Sequence, residues 1–256
     1  MIFIDQLNRK IEIDTFPKRI ISTVPSQTEL LVDLGLSSNL VGRTKFCIHP
    51  KNIVHDIAKI GGTKNLNLDK ILALKPDLII ANKEENTKDE IEFLATKFPV
   101  WISDIFNLKD ALNSIKGIGT ITDKVKPAQN LSSNIEGEFL NLKKTSQPQK
   151  IVYLIWQNPF ISVGNDTFIH DMIDKIGWVN AFGNLNRYPE VSIQMIQDAN
   201  PDRILLSSEP YPFKEKHLKV FTSQFPNCKI QLVDGEFFSW YGSRLVKTPK
   251  YFKSIL

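Results

Sequence analysis

The chain has 256 residues, which allows one large domain or two domains of ordinary size. Apolar residues make up 42% and charged residues 23%, as expected of a globular protein with a sizeable core. The formal charge of +4 is small and dispersed, and no basic stripe is interleaved with aromatics, which excludes nucleic-acid binding. No stretch approaches the roughly 18 apolar residues of a membrane span.

The amino-terminal segment, Met1 to Asp5, lacks a charged region followed by an apolar run, so no export signal is visible. The sequence leaves open whether none is encoded or whether one was removed. The two cysteines, Cys47 and Cys228, do not form a disulfide framework, and we expect no bridge between them.

The first third of the chain alternates strands and helices. Residues 2–13 predict an edge hairpin or an extended arm, and Arg19 to Val24 predicts a strand. Ser26 to Glu29 has the pattern of a capping box at a helix start, and Gly35 is a natural end for that helix. Leu40 to Gly42 predicts the next short strand.

One pattern occurs twice, at residues 66–81 and 191–206. Each copy predicts a capped short helix, a Pro-Asp turn and a buried strand. Repetition of one unit predicts two similar α/β lobes that face each other across a ligand cleft. The residues that carry this interpretation are Asn67 and Ser192 as N-caps, with Pro76 and Pro201 as helix stops.

Between the two copies, Asp123 to Lys144 predicts one long helix of about 30 Å. We therefore expect an α/β fold with two Rossmann-like lobes, each around a central parallel sheet, joined by this backbone helix. The predicted division is an amino-terminal lobe at 1–122, a connecting helix at 123–145 and a carboxyl-terminal lobe at 146–256.

Ligands of open parallel sheets bind beyond the carboxyl ends of the strands. The segments at those ends are rich in aromatic, amide and hydroxyl groups, which suits a large flat ligand, although some of these aromatics are equally compatible with core positions. The helix start at residues 25–29 adds backbone amides that favour an anionic or carbonyl group. The predicted ligand-binding residues are Ser26, Gln27, Phe46, Asn82, Trp156, Arg187, Tyr188, Glu236, Trp240 and Tyr241.

Catalytic and metal-site patterns are missing, so we predict a protein that is not an enzyme. No histidine pairs with another at metal-ligand spacing. Cys47 and His49 form a weak Cys-x-His pattern, for which an ordinary loop is the favoured interpretation. Glu84 and Glu209 follow the two repeated strands in the same register. They are either exposed loop acids or two carboxylates that dock onto basic patches of a two-fold partner.

These motifs together resemble a known family. Ile20 to Glu29, the Gly61-Gly62-Thr63 turn with the pattern that follows it, the long helix and the second Pro-Asp strand are similar to class III substrate-binding proteins of ABC importers. Those receptors bind cobalamin, heme or ferric siderophores. The resemblance covers roughly residues 17–256 and lies closest to the cobalamin-binding branch.

The resemblance implies a corrinoid or related metal chelate as ligand, with no permanently bound cofactor. It implies ligand contacts at Phe46, at Tyr188 and along residues 236–241, and permease docking by Glu84 or Glu85 together with Glu209. A tryptophan common in the cobalamin branch is Asn82 here. The implied partners are a permease and its ATPase subunits, and the protein would be a monomer at the periplasm or cell surface.

Three alternatives stay open. A ferric-siderophore or heme receptor is favoured if most of the candidate bases line the cleft. A cytoplasmic corrinoid- or tetrapyrrole-binding protein on the same scaffold is favoured if Met1 is native, with Cys47 or His49 touching the metal. A chelatase-like enzyme is the third hypothesis. The candidate bases are Arg43, Lys45, Lys83, Arg187 and Arg244.

Overall fold

The computed structural model describes residues 1–256, and the chain divides into two compact units. Unit 1 comprises Met1–Ile105, Lys109–Glu136 and Tyr241–Val246. Unit 2 comprises Phe106–Leu108, Gly137–Trp240 and Lys247–Leu256. No helix has both the length and the apolar character needed to cross a membrane.

Unit 1 is built on a five-stranded parallel sheet in the order β5-β4-β3-β8-β9. The inner strand β8 is fully buried, as expected of a parallel strand that helices cover on both faces. The strands are β1 (Ile2–Ile4), β2 (Lys10–Glu12), β3 (Ile20–Ser22), β4 (Leu40–Arg43), β5 (Ala58–Lys59), β6 (Gly61–Gly62), β7 (Asn65–Leu66), β8 (Leu78–Asn82) and β9 (Val100–Ser103); the helices are α1 (Pro25–Asp33), α2 (Lys51–Val54), α3 (Leu68–Leu74), α4 (Lys88–Ala95) and α5 (Leu108–Ile121).

The predicted hairpin at the amino terminus is confirmed, since β1 pairs antiparallel with β2. Its side chains bond to the backbone of the outer strand β9. Asp5 Oδ2 accepts the Ile102 N–H at 3.2 Å, and the Arg9 guanidinium donates to the Val100 carbonyl at 2.6 Å. Gln6 Oε1 accepts the Asp104 N–H just beyond the strand. Backbone groups on the outer edge of β9 have no neighbouring strand with which to pair. Side chains of the hairpin form hydrogen bonds with them instead.

The predicted capping box at Ser26–Glu29 is wrong. Helix α1 begins at Pro25 after Val24, and no side chain caps it. Proline is favoured at the first helical position because its fixed φ suits the helix and it has no N–H to satisfy, which moves the start upstream of Ser26. Glu29 instead forms a bidentate ion pair with Arg244, at 2.8 and 2.9 Å.

Helix α6 (Val125–Leu140) is shorter than predicted. It is separated from α5 by a turn in which Asp123 takes the left-handed conformation (φ 58°), so a helix cannot run through that residue. Residues 141–149 lie beyond the helix. Both units contribute residues to α6, unit 1 up to Glu136 and unit 2 from Gly137.

Unit 2 repeats the architecture with a four-stranded parallel sheet in the order β11-β10-β12-β13. The prediction of an α/β protein with parallel sheets is confirmed. The strands are β10 (Lys150–Leu154), β11 (Val179–Asn180), β12 (Arg203–Ser207) and β13 (Lys229–Val233); the helices are α7 (Phe168–Ile176), α8 (Ile193–Ala199), α9 (Glu215–Gln224), α10 (Glu236–Ser239) and α11 (Thr248–Ile255).

The repeated pattern folds as predicted in both units. Asn67 and Ser192 cap α3 and α8 by accepting the N–H three residues on. Each helix ends in a left-handed residue directly before the proline, Lys75 in one and Asn200 in the other. The buried strands β8 and β12 follow.

Candidate functional site

The carboxyl end of the unit 1 sheet carries a buried, uncharged hydrogen-bond network. Gln27 on α1 donates from Nε2 to Ser103 Oγ at 2.6 Å, and Asn82 at the end of β8 donates from Nδ2 to the same oxygen at 3.0 Å. Gln27 Oε1 is buried with no hydrogen-bond partner. Within this network, the amide oxygen of Gln27 is therefore the acceptor that is left to bond with a further donor.

Asn82 is occupied by its own turn. Its Oδ1 accepts the N–H groups of Glu84 and Glu85, at 2.9 and 3.0 Å, while its Nδ2 bonds to Ser103. Asn82 is also buried. The amide therefore shapes the loop after β8. Its predicted ligand contact stays a prediction.

Ser26 lies in the first turn of α1 and is buried. Its carbonyl oxygen is so close to Gly242 that a Cβ there would lie only 2.5 Å away. Any side chain at position 242 would push the segment around Gly242 away from the first turn of α1. Tyr241, a predicted ligand residue, is the neighbour of this glycine in unit 1 and is buried.

The loop after β4 presents apolar side chains to solvent in an alternating pattern. Phe46 is 51% exposed and Ile48 is 53% exposed, whereas Cys47 between them is fully buried. The Lys45 ammonium lies 5.0 Å from the Phe46 ring centre. Sequence reasoning missed Ile48, although the apolar-Cys-apolar alternation was a usable signal.

The Cys47 thiol is held inside the protein, 3.1 Å from Thr44 Oγ1. Burial raises the pKa of this thiol, which keeps it protonated and a poor metal ligand. No group of three or more His, Cys, Asp or Glu side chains that could hold a metal ion occurs in the structure. His49 precedes a cis proline, Pro50, in the same loop.

Three of the candidate bases are engaged inside unit 1. The Arg43 guanidinium is buried and donates to the carbonyls of Val54 and Thr44. The Lys83 ammonium lies 2.6 Å from an Asp104 carboxylate oxygen, and Arg244 is paired with Glu29. Much of the positive charge that the sequence places here is therefore neutralised or bonded to the backbone.

Unit 2 carries an aromatic cluster beyond β10 and β12. Trp156 is 39% exposed, and its ring packs edge-on against Tyr211 at 5.7 Å. The Tyr211 hydroxyl lies 3.3 Å from His217 Nε2. Burial lowers the pKa of His217, so the ring is neutral and its Nδ1 accepts the Lys214 N–H. Sequence reasoning missed Tyr211 and His217.

Arg187 and Tyr188 form a second cation–aromatic pair. The Arg187 guanidinium lies 5.5 Å from the Tyr188 ring centre. Arg187 is exposed, and its left-handed backbone (φ 55°) is tied down because its N–H donates to Asp166. The two units thus share a motif, a base stacked on the aromatic that follows it.

The loop after β12 and helix α10 meet at Glu209. Its Oε1 accepts hydrogen bonds from the Ser239 hydroxyl at 2.5 Å and from Trp240 Nε1 at 3.0 Å. Trp240 is buried, and burial raises the pKa of Glu209. Glu236, also a predicted ligand residue, is half-buried in α10. Glu209, which the sequence predicts as a docking acid, therefore has bonding partners inside unit 2.

A family model decides the class of the protein. The model described as periplasmic binding protein matches residues 20–226. The chain belongs to the periplasmic binding protein family. This match confirms two predictions. The protein is a substrate-binding protein of the ABC-importer class, and its resemblance to that family is genuine. The family is one of substrate-binding transport proteins and is not an enzyme family.

Relatives of this periplasmic binding protein carry two kinds of name. An uncharacterized ABC transporter substrate-binding lipoprotein of Bacillus subtilis, YvrC, is 28% identical over 212 residues, covering 78% of this chain and 67% of that protein. A vitamin B12-binding protein of Vibrio parahaemolyticus is 27% identical over 195 residues, covering 74% of this chain and 70% of that protein.

Among solved structures, the periplasmic heme-binding protein RhuT from Roseiflexus superposes with a TM-score of 0.79 at 20% identity. The superposition covers 93% of this chain and 98% of that chain. At such identity the likeness establishes the fold of this binding protein and leaves its ligand to the chemistry of the site.

Proposed function

We propose that this protein binds a corrinoid of the vitamin B12 type and delivers it to an ABC permease. The observation that carries the proposal is the combination of open aromatic surface with bases that are already engaged. Phe46 and Trp156 are exposed, while Arg43, Lys83 and Arg244 are bonded within unit 1. Large flat ligands with little net charge match such surfaces.

The names of relatives support the same ligand class. Vitamin B12-binding proteins are among the relatives at 25–28% identity. At 22% identity the vitamin B12-binding protein BtuF of Vibrio cholerae shares the fold, with a TM-score of 0.77. The tryptophan expected from the cobalamin branch is Asn82 here, so the aromatic contacts would come from Phe46, Trp156 and Tyr188.

Heme is the second candidate, and one observation favours it. The Lys45 ammonium stacks on Phe46 and forms no salt bridge, so it is available to a ligand carboxylate beside a flat ring. The heme-binding protein RhuT has the same fold. A ferric siderophore would need more free positive charge than unit 1 offers.

Titration of intrinsic tryptophan fluorescence with cyanocobalamin, cobinamide, hemin and a ferric siderophore tests the proposal. We expect saturable binding of the two corrinoids and weaker or no binding of the others. Tight binding of hemin alone would replace the corrinoid proposal with the heme one. Failure of all four would contradict both the corrinoid and the heme proposals and would direct attention to ligands outside this set.

Phe46→Ala is the most direct site variant, because Phe46 is exposed and its removal leaves the core intact. We expect a loss of about 1–3 kcal/mol in ligand binding, the scale of one aromatic contact. Phe93→Ala is the matched control, an exposed phenylalanine of unit 1 on α4 at 40% exposure. Equal affinities for both variants would remove Phe46 from the site.

Docking to the permease is assigned to Glu84 and Glu209. The two acids occupy equivalent turns, because the side chain two residues earlier accepts the N–H of each, Asn82 in unit 1 and Ser207 in unit 2. Glu84→Gln with Glu209→Gln should spare ligand affinity and impair uptake by cells. Normal uptake by the double variant would contradict this docking role.

The proposed location is outside the inner membrane, in the periplasm or at the cell surface, where a protein that supplies an importer must reside. The lipoprotein name of the Bacillus subtilis relative supports this location. Cell fractionation with detection of the native protein tests it, and recovery only in the cytoplasm would favour the alternative role.

A further inference from the structure

Glu209 is a carboxylate in unit 2 that is largely withdrawn from solvent without a basic partner. It forms no salt bridge, and its Oε1 accepts bonds from two neighbours in sequence, the Ser239 hydroxyl and Trp240 Nε1. These two donors lie at the end of α10, whereas Glu209 follows β12. The carboxylate therefore joins two separate segments at the carboxyl end of the sheet.

The surroundings of Glu209 are shaped to hold it. A Cβ on Gly235 would lie 2.7 Å from Glu209 Cγ and 2.3 Å from Ser207 Oγ, so only glycine leaves room there. Ser207 Oγ donates to the Glu209 carbonyl at 2.7 Å and lies 3.1 Å from the Tyr153 hydroxyl. The acid is thus fixed through its backbone as well as its side chain.

Folding stability alone does not explain why the carboxyl group of Glu209 occupies this buried position. Burial raises the pKa of Glu209 and the nearby Glu236 and Asp234 raise it further, while the bonds from Ser239 and Trp240 oppose this shift, so ionisation costs more here than at an exposed glutamate. The interaction that the side chain does provide is a hydrogen bond, in which Glu209 Oε1 accepts the Trp240 indole N–H. Because Trp240 is only 6% exposed, the orientation of its ring determines which edge a ligand meets.

We propose that Glu209 is a positioning residue of the ligand site, which fixes the indole of Trp240 and occupies its N–H. Trp240 then offers the ligand ring carbons and no hydrogen-bond donor. This contact suits the carbon framework of a flat macrocycle rather than its amide or carboxylate groups. The inference rests on the proposed function and on the predicted ligand contact of Trp240.

A double-mutant cycle in the full-length protein tests the inference with cyanocobalamin as the probe. The variants are Glu209→Ala, Trp240→Phe and the combination, with Glu215→Ala as a matched control acid on α9 of unit 2. We expect Glu209→Ala to weaken binding roughly tenfold, with little further loss in the Trp240→Phe background. Additive losses would show that Glu209 does not act through Trp240 and would overturn the proposal.

Glu209→Gln separates positioning from docking. Glutamine keeps an acceptor oxygen for the indole N–H and removes the charge, so affinity should return to within about threefold of the unchanged protein. An affinity as low as that of Glu209→Ala would contradict positioning through the hydrogen bond. Loss of uptake with intact affinity would instead report the docking role.

Tryptophan emission of the ligand-free protein supplies a readout that needs no ligand. Glu209→Ala should shift the emission spectrum, and the shift should vanish in the Trp240→Phe background because Trp101, Trp156 and Trp178 remain unchanged. A shift that persists without Trp240 would overturn the inference. If the unchanged protein binds no probe but this coupling is present, the proposed function fails while the positioning of Trp240 stands.

Discussion

The two copies of the repeated pattern agree closely at one end and differ at the other. At the amino ends of β8 and β12, an aspartate after the proline accepts a backbone N–H from the adjacent strand segment: Asp77 from Arg19 and Asp202 from Lys150. The basic side chain of each donor returns to carbonyls at the end of the preceding helix, Arg19 to Leu74 and Lys150 to Ala199.

At the carboxyl ends the copies diverge. Unit 1 ends β8 with an uncharged network of Asn82, Ser103 and Gln27. Unit 2 ends β12 with Ser207 and a carboxylate, Glu209, bonded to an indole. One end of the repeat serves the fold and is built the same way twice. The other end carries groups for which we propose contact with the ligand, and it differs between units.

The largest expected effect comes from the buried strands themselves. Ile79 and Ile204 occupy the same register and are both fully buried. Ile79→Ala and Ile204→Ala should each lower the free energy of unfolding by about 3 kcal/mol, because each leaves a cavity, and the valine variants by about 1 kcal/mol. Urea denaturation measures these free energies of unfolding. A loss well below 1 kcal/mol in one alanine variant would show that the two strands are not equivalent.

The Pro-Asp turns should show a graded effect. Asp77 is half-buried and accepts two N–H groups, from Lys18 and Arg19, whereas Asp202 is exposed and its carboxylate accepts the Lys150 N–H. Asp77→Ala should cost about 2 kcal/mol and Asp202→Ala about 1 kcal/mol in chemical denaturation. The asparagine variants should lie between. A larger cost at Asp202 would reverse the ranking.

The helix caps should have nearly equal effects. Asn67 accepts the Lys70 N–H at 2.9 Å and Ser192 accepts the Met195 N–H at 3.1 Å. Each alanine variant should cost about 1 kcal/mol, and each glycine variant a few tenths, when thermal or urea unfolding is compared. Unequal losses would mean that one helix depends on tertiary packing more than on its cap.

The smallest effect should be a gain. Lys75 and Asn200 both adopt left-handed backbone, with φ of 46° and 44°. Lys75→Gly should stabilise the protein by about 0.5 kcal/mol, because lysine is strained there, whereas Asn200→Gly should be near neutral, because asparagine tolerates this region. Calorimetry can resolve the difference, and destabilisation by Lys75→Gly would show that its side chain has another role.

The repeat was predictable because its determinants are local. A cap, a proline and a buried apolar run lie within sixteen residues, and the structure confirms each of them. Glu29 was misassigned to a cap because its partner Arg244 lies 215 residues further along the chain. Pro25 was the local sign that the helix begins earlier.

The site was harder to predict for the same reason. Strand ends located the region, but Cys47 turns inward while Phe46 and Ile48 turn outward, and only packing decides that orientation. The bond from Trp240 to Glu209 joins residues of different loops. The sequence predicts which strand ends carry the candidate site, while the partners of individual side chains depend on tertiary contacts.

The amino-terminal hairpin has a consequence for self-association. An uncovered outer strand offers a template onto which another chain can add, the first step of many fibrous aggregates. Asp5 and Arg9 occupy backbone groups of β9 that such a chain would need. The first nine residues therefore oppose the addition of another strand at this edge of unit 1, and a shortened version that lacks them would leave a free sheet edge.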